Sequence, residues 1–429
     1  MSKTTSAFER IEYPNGVRLI IVPMRGVGSV ATSVAVAAGS RYETREISGI
    51  SHFLEHMVFK GTKKYPTTDD VNFIERLGGI QNAYTDNDIT KYHNKAVSTD
   101  WRQALEVNRE LVVAPLLEDV HVDRERSVII EEMKRYEDEP AAKAEETFHT
   151  MLYRGTRLGM RTIGEVDSLL LCKGTTLRSY HAKCYTPDRM VVTVTGGIKE
   201  SVASIKGQAE ELFGRLTGKS TDDIEIVKEN QKAPRAEVVT KPDASQAHLV
   251  LGIRTFPRDS EGRFAWALFN LIMGVGFTSR LFKEVREKRG LCYHISSQGA
   301  TYEDVGNWSI VSGVATGQVE EAIRVVVAEL AKVKEYGVDP EEVEVSKKRL
   351  SALLAFKSED PAFINEYYSR QEIYRMPILT IEDYLKKVQK VTKGDIDVLA
   401  RKYLKTETLN LALVWNKPRE EKLERLLKL

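Results

Sequence analysis

Short segments with apolar residues at every second position predict β-strands, and residues 17–22 and 30–37 are examples. Longer segments predict helices, among them residues 319–336 and a helix that Asp339 caps and Pro340 begins. Strands and helices do not alternate singly along the chain. This order favours an α+β fold in which helices pack against antiparallel-rich sheets.

A pattern in the first half of the chain returns in the second half. Residues 182–185, followed by an apolar strand at 190–195, find an echo in residues 400–403, followed by a strand at 409–414. The similarity lies in the order of elements more than in residue identity. It indicates an internal duplication.

A polar and charged segment separates the two halves. Residues 218–235 contain few apolar residues and no clear period, which is typical of a linker. We therefore predict two structurally similar domains, residues 1–217 and 236–429.

The composition excludes some classes of protein and partner. The 429 residues are 42% hydrophobic and 29% charged, which is ordinary for a soluble globular protein. With 63 basic and 62 acidic residues the formal net charge is +1, so no global field favours nucleic acid or an anionic membrane. We expect neither as a partner.

The cysteines and the N-terminus bear on location. Cys172, Cys184 and Cys292 form no C-x-x-C pair, so neither a disulfide framework nor a thiolate zinc site is expected. The first residues contain no apolar signal segment, and no apolar run approaches the roughly 20 residues that span a membrane. These features predict a cytoplasmic protein.

Two histidines and a glutamate are spaced so that a helix would place them on one face. His52, Glu55 and His56 stand at i, i+3 and i+4, and on a helix turning about 100° per residue they share one face. Neutral imidazoles suit zinc, and a carboxylate between them can serve as general base on a water activated by the metal. The order H-x-x-E-H is the inverzincin signature. The alternative is a helix with two capping or solvated histidines.

A third ligand would have to come from another element. Residues 123–140 predict a partly buried helix with Glu131 and Glu132 near its middle. Because neighbouring side chains on a helix point about 100° apart, at most one of the two reaches a metal. An exposed acidic helix face is the alternative for both.

These motifs resemble the pitrilysin and insulinase family of inverzincin metallopeptidases. In that family the third ligand lies in a helix reading roughly V-I-x-x-E, which matches residues 128–132 and selects Glu132. A second family carboxylate one heptad later matches Glu139, which the resemblance implies supports the ligands from the outer shell. By length, the chain resembles the two-domain branch that includes mitochondrial processing peptidases.

A second motif lies in the predicted hairpin of residues 81–92, which turns at 86–88. Residues 78–85 resemble the family's G-G-x-x-N-A-x-T strand, which binds substrate through its backbone as an added β-strand. An ordinary surface hairpin is the alternative. The resemblance implies that the substrate-binding residues are Gly79, Asn82, Ala83, Tyr84 and Thr85.

A third motif lies in the second half. Residues 279–293 are close to the family pattern S-R-L-F-x-x-x-R-E-K-R-G-L-x-Y. The resemblance implies that Arg286 and Tyr293 hold the substrate and stabilise the tetrahedral intermediate. Without the family, the segment predicts a basic surface helix that ends at Gly290.

The second copy lacks the metal ligands. Its position equivalent to Glu132 falls in an apolar stretch around Leu353, and its helix at 264–273 contains no histidine. We expect one zinc ion per chain.

The expected function is zinc-dependent hydrolysis of short or unfolded peptides in a closed, clamshell-like chamber, with Glu55 as general base. In the two-domain branch two chains close on each other, so we expect a homodimer in which Arg286 and Tyr293 complete the partner's site. The alternatives are an inactive regulatory or scaffold homologue and the active subunit of a heterodimeric processing peptidase.

Overall fold

The computed structural model describes residues 7–220, 224–228, 230–417 and 423–429. Part of the predicted linker lies outside the described residues, namely 221–223 and 229. The same holds for residues 1–6, on which the expectation about a signal segment depends in part. Two compact units are present. The first comprises residues up to Glu132, Met160–Glu225 and Ala355–Thr380, and the second comprises Met133–Gly159, Ile226–Leu354 and Ile381–Leu429.

The strands confirm the predicted segments within one or two residues. In chain order they are β1 (Glu9–Glu12), β2 (Arg18–Pro23), β3 (Ser29–Val36), β4 (Ile80–Thr85), β5 (Thr90–Val97), β6 (Met190–Gly196), β7 (Arg235–Thr240), β8 (Gln246–Thr255), β9 (Cys292–Thr301), β10 (Gly306–Ala315) and β11 (Asn410–Trp415).

The predicted long helices are confirmed as α11 and α12. In chain order the helices are α1 (Ile50–Val58), α2 (Thr68–Val71), α3 (Phe73–Arg76), α4 (Trp101–Val113), α5 (Asp119–Asp138), α6 (Pro140–Leu152), α7 (Val166–Leu171), α8 (Gly174–Cys184), α9 (Val202–Phe213), α10 (Arg263–Gly274), α11 (Val319–Tyr336), α12 (Pro340–Lys357), α13 (Pro361–Ile373), α14 (Ile381–Gln389) and α15 (Lys393–Tyr403).

Each unit contains one sheet, and apart from the edge strand β1 of the first sheet the two sheets share one topology. Within the described strands, the first sheet has the order β1-β2-β6-β3-β5-β4 and the second β7-β11-β8-β10-β9. Strand β2 pairs in parallel with β6, as β7 does with β11, and the other pairs are antiparallel. The fold is therefore α+β with two similar antiparallel-rich sheets, as predicted. Strands β6 and β11 hold equivalent places, which confirms the echo noted in the sequence.

Each sheet is covered in part by a helix from the other half of the sequence. Helix α13 packs on β2, β3 and β6 of the first unit, and α6 packs on β7, β8 and β11 of the second. Buried Asn365 of α13 fixes this contact, because its Nδ2 donates to the carbonyls of Ala31 (3.2 Å) and Thr193 (3.1 Å).

The compact units therefore do not follow the linear division into residues 1–217 and 236–429. Residues 133–159 belong to the second unit and 355–380 to the first. An amphipathic pattern shows that a helix has a buried face, but it does not say which sheet that face covers.

No helix within the described part of the chain is both long enough and apolar enough to cross a membrane.

Candidate metal centre

Helix α1 presents His52, Glu55 and His56 on one side. Its other side buries Phe53 and Met57 in the core, so the burial pattern orients the helix. The two imidazole rings lie edge to face with centroids 4.7 Å apart.

The first turn of α1 is held by a buried carboxylate. Oε2 of Glu43 accepts from the backbone N–H of Gly49 at 2.6 Å, and Oε1 accepts from that of Ser51 at 2.9 Å. These donors are among the first N–H groups of the helix, which have no partner within it. Burial raises the pKa of Glu43 to about 7, although the hydrogen bonds from Ser51 and Gly49 oppose that rise.

Gly49 is required at the start of α1 for two reasons. Its φ is +87°, and a Cβ there would lie 2.6 Å from the carbonyl oxygen of Ile163. Gly164 makes the reciprocal approach to the carbonyl oxygen of Ser48. Residues 163 and 164 thus pack against the start of α1.

Helix α5 brings the third side chain. Oε2 of Glu132 lies 3.8 Å from Nε2 of His52 and 3.5 Å from Nε2 of His56. Ligand atoms of these three residues all lie within 4.8 Å of one another, and they form a group that could hold a metal ion. Glu131 is exposed and stands outside that group.

The electrostatics of the histidines suit metal binding. Burial and the nearby His56 lower the pKa of His52 to about 4, so its imidazole is neutral at physiological pH. Burial opposes protonation of His56 too, but Glu132, Glu55 and Glu125 outweigh it and raise the pKa of that ring. A cation between the rings would take the place of the proton that these carboxylates favour.

The donor set fits zinc. Two imidazoles and one carboxylate are the three-ligand set of several catalytic zinc sites, in which a fourth position stays open. Nδ1 of His52 is buried and has no hydrogen-bond partner within the described residues. The nitrogen of each ring that faces Glu132 is Nε2, so Nε2 of His52 and Nε2 of His56 are the atoms available for ligand bonds.

Glu55 lies beside the ligand group but is not part of it. Its Oε2 accepts a hydrogen bond from Oγ1 of Thr85 at 2.5 Å. Burial raises the pKa of Glu55, with Glu132 adding to the rise, while Thr85 and His56 oppose it. The carboxylate is therefore near the ligands and engaged through one oxygen.

Glu125 is a functional candidate that the sequence analysis missed. It is buried on α5, its Oε2 lies 3.5 Å from Nδ1 of His56, and its Oε1 lies 2.7 Å from Nζ of Lys60. Glu139, for which the resemblance implies outer-shell support, is the exposed N-cap residue of α6 in the second unit, where its charge acts on His248, and its outer-shell role stays a prediction. The heptad spacing from Glu132 was the available signal, but it also points to the residue one heptad earlier.

The predicted hairpin is confirmed, and β4 is an edge strand. Thr85 pairs with Thr90 across the turn, and β4 ends the sheet order next to β5. Gly79 allows a close approach to β5, because a Cβ there would lie 2.7 Å from the carbonyl oxygen of Lys95. Asn82 is exposed, and Ala83 is partly buried. The residues from 79 to 85 therefore lie along an edge that could accept another strand.

Arg286 and Tyr293 lie together in the second unit. Arg286 belongs to a π-helical turn, Phe282–Glu287, and its guanidinium lies 5.0 Å from the ring centroid of Tyr293. Tyr293 is the second residue of β9 and is 78% exposed. An exposed phenol beside a guanidinium could bind an anionic or carbonyl oxygen, and their role at a zinc site stays a prediction.

Comparisons with known proteins point to one family. A family model described as Insulinase (Peptidase family M16) matches residues 24–166, and one described as Peptidase M16 inactive domain matches residues 174–350. A Bacillus subtilis protein named uncharacterized zinc protease YmxG is 31% identical over 408 residues, with 95% of this chain and 98% of that protein covered. A Streptomyces coelicolor protein named uncharacterized zinc protease is 28% identical over 407 residues, with 92% and 87% covered.

Solved structures share the fold. A protease from Helicobacter pylori matches with a TM-score of 0.87 at 22% identity, covering 95% of this chain and 99% of its own. A Pseudomonas fluorescens structure described as a peptidase M16 inactive domain matches with a TM-score of 0.87 at 21% identity, covering 96% and 98%.

Proposed function

This chain belongs to the M16 family of peptidases, and we propose that it is a zinc metalloendopeptidase that hydrolyses short or unfolded peptides. One observation carries the proposal. His52, His56 and Glu132 converge from two helices into a group that could hold a metal, and Glu55 lies one residue from a ligand on the same helical face.

The chain's residues divide into ligands and a base. His52, His56 and Glu132 would hold the zinc ion, which when bound supplies Lewis-acid polarisation of the scissile carbonyl and lowers the pKa of the attacking water. Glu55 takes the proton from that water and then delivers it to the leaving amine. Both transfers use the same carboxylate, so no further acid is required.

The substrate lies extended along β4. The edge of this strand offers backbone N–H and C=O groups to a peptide in β-conformation, and such pairing reads little of the peptide's sequence. A folded protein has its backbone groups already paired, so it is a poor substrate. Short or unfolded peptides are the class that this edge accepts.

Arg286 and Tyr293 act on the same substrate from a second copy of the chain. A guanidinium and a phenolic O–H are donors suited to the oxyanion of the tetrahedral intermediate. In this proposal two chains form a homodimer around a closed chamber, and each copy completes the site of the other.

The test is cleavage of an unfolded-peptide library by the purified chain, with its metal content measured. Cleavage should require about one zinc ion per chain, disappear with a chelator, return with added zinc and be absent in Glu55→Gln. The variant Glu132→Gln should lose zinc, whereas Glu131→Gln, a change at the exposed neighbour, should keep it. A chain that holds zinc but cleaves no peptide would favour an inactive regulatory homologue.

A further inference from the structure

One hydroxyl of β4 contacts the proposed base. Oγ1 of Thr85, the last residue of the strand, donates to Oε2 of Glu55 at 2.5 Å. This distance is in the range of hydrogen bonds from hydroxyl groups to carboxylates. Within the described residues no donor contacts Oε1 of the same carboxylate.

The proton of Thr85 has one strong acceptor. Oγ1 of Thr90 is 3.3 Å away, but the Thr90 hydroxyl donates to the carbonyl oxygen of Ala38 at 2.9 Å. Thr90 could therefore only accept the proton of Thr85, and at 3.3 Å it is the more distant of the two acceptors. A shorter bond to a charged oxygen outweighs a longer one to a neutral hydroxyl, so the proton points to Glu55.

Strand β4 is fixed through both of its faces. Successive side chains of a strand point to opposite faces of the sheet. Tyr84 donates to Oε1 of Glu366 on α13 at 2.8 Å, while Thr85 donates to Glu55 on α1. The side chains thus hold the strand in place, and its outer edge is left for pairing.

We propose that Thr85 is a positioning residue for the reaction: its hydroxyl fixes Oε2 of Glu55, so that Oε1 is the oxygen that receives the proton from water. This inference rests on the proposed function. It gives the side chain of Thr85 a role separate from the backbone pairing expected of the strand. The same hydrogen bond connects β4, along which the peptide would bind, to Glu55, the proposed base.

The effect should fall on kcat. A glutamate side chain has three rotatable bonds, and a fixed carboxylate needs no search for its reactive orientation. Because Thr85 acts through the base and not through the ligands, loss of its hydroxyl leaves zinc binding intact. A lost hydrogen bond to a charged group corresponds to about a tenfold to hundredfold lower rate.

The experiment compares Thr85→Val, which keeps the shape and removes the donor, with Thr85→Ser, which keeps the donor. The matched control is Thr193→Val, because the Thr193 hydroxyl is buried in the same sheet and has no hydrogen-bond partner within the described residues. For each variant, kcat and KM on one cleaved peptide, zinc content and thermal unfolding are measured. Crystal structures of the two Thr85 variants without zinc record the Glu55 conformation.

Support would be a kcat lower by about tenfold to a hundredfold in Thr85→Val, with KM and zinc content near wild type. Thr85→Ser should recover most of the lost rate, and Thr193→Val should match wild type. Equal loss in the Ser and Val variants would overturn the inference, as would zinc loss or unfolding in Thr85→Val, since the role would then be structural.

The crystal structures separate this inference from the proposed function. If the wild-type chain cleaves no peptide, the proposed function fails. The hydrogen bond from Thr85 to Glu55 is then tested by the crystal structures alone. Glu55 should change rotamer in Thr85→Val and keep its position in Thr85→Ser. An unchanged Glu55 in Thr85→Val would overturn the positioning role whatever the activity.

Discussion

Oε2 of Glu125 lies 3.5 Å from Nδ1 of His56, and the same carboxylate reaches Lys60 at 2.7 Å. A carboxylate against the second nitrogen of a ligand imidazole fixes the tautomer and the orientation of the ring and raises its basicity. Lys60 in turn holds Glu125 in place. The outer-shell contact at His56 therefore comes from Glu125 on α5, which Lys60, two residues after the end of α1, holds in turn.

Replacing Glu125 by Gln should weaken zinc binding by about tenfold to a hundredfold, because His56 loses its charged partner. Competition with a chromophoric chelator measures the affinity. Glu139→Gln is the comparison variant, since Glu139 is exposed at the N-cap position of α6 and the resemblance implies an outer-shell role for it. A loss confined to Glu139→Gln would contradict the role of Glu125 and support the outer-shell role that the sequence resemblance implies for Glu139.

Mixing two inactive variants should restore activity if the chain works as a homodimer. A Glu55→Gln chain keeps Arg286 and an Arg286→Ala chain keeps Glu55, so a mixed dimer contains one complete site. We expect up to about a quarter of wild-type activity per chain at a one-to-one ratio, because half of the dimers are mixed and each has one site. The double variant, mixed with wild-type chain, controls for subunit exchange. No recovery, despite exchange shown by size and labelling, would contradict the shared site.

Acid should weaken the first unit through Glu366. Burial raises the pKa of this carboxyl, but Lys91 and Arg370 outweigh burial and hold the pKa at about 2 against an ordinary 4.5. The native state then binds fewer protons than the unfolded state between these values. The stabilisation is complete above about pH 4.5 and is lost as the pH falls towards about 2.

Glu366→Gln should flatten that acid dependence of the free energy of unfolding, measured by urea titration at a series of pH values. At neutral pH the variant should be less stable by about 1–3 kcal/mol, because the Nζ of buried Lys91 loses a carboxylate partner at 2.6 Å. Glu359→Gln, at an exposed position nearby in sequence, is the control. An identical slope in wild type and Glu366→Gln would show that other groups carry the acid response.

Gly49→Ala should lower the melting temperature more than Gly26→Ala. Both glycines have a positive φ, +87° at Gly49 and +76° at Gly26, so each substitution costs about 1–2 kcal/mol in backbone strain. Only at Gly49 does the added Cβ also meet a carbonyl oxygen, that of Ile163 at 2.6 Å, whereas nothing lies within 4 Å at Gly26. Calorimetry of the two variants measures the difference. Equal melting temperatures would mean that the loop around 163 yields without cost.

The group of His52, His56 and Glu132 was predictable because its geometry follows from the helical repeat and from a family motif. The spacing of His52 and His56 fixes their common face through the helical repeat alone. The hairpin at β4 and β5 followed from turn residues between two strands. The spacing did not decide which of Glu131 and Glu132 would lie beside the histidines. Only the family pattern favoured Glu132, which the structure places there.

The contacts that refine the site were not predictable. The hydrogen bond from Thr85 to Glu55 joins a strand to a helix that lies 30 residues earlier, and no periodicity relates them. In the sequence Glu125 is one of several charges on an acidic helix, and only its burial distinguishes it from the others. Long-range pairs of this kind depend on packing, which a single sequence does not encode in its local pattern.

The exchange of α6 and α13 has a consequence for any cut in the chain. A protease that cuts within residues 218–235 gives two fragments. The N-terminal fragment carries α6, which packs on the second sheet, and the C-terminal fragment carries α13, which packs on the first. Separating the fragments would remove α6 from the second sheet and α13 from the first, and so expose apolar and polar surface of both sheets to water. The nicked protein should therefore run as a single species until it is denatured, and genes for the two pieces would need co-expression to give folded protein.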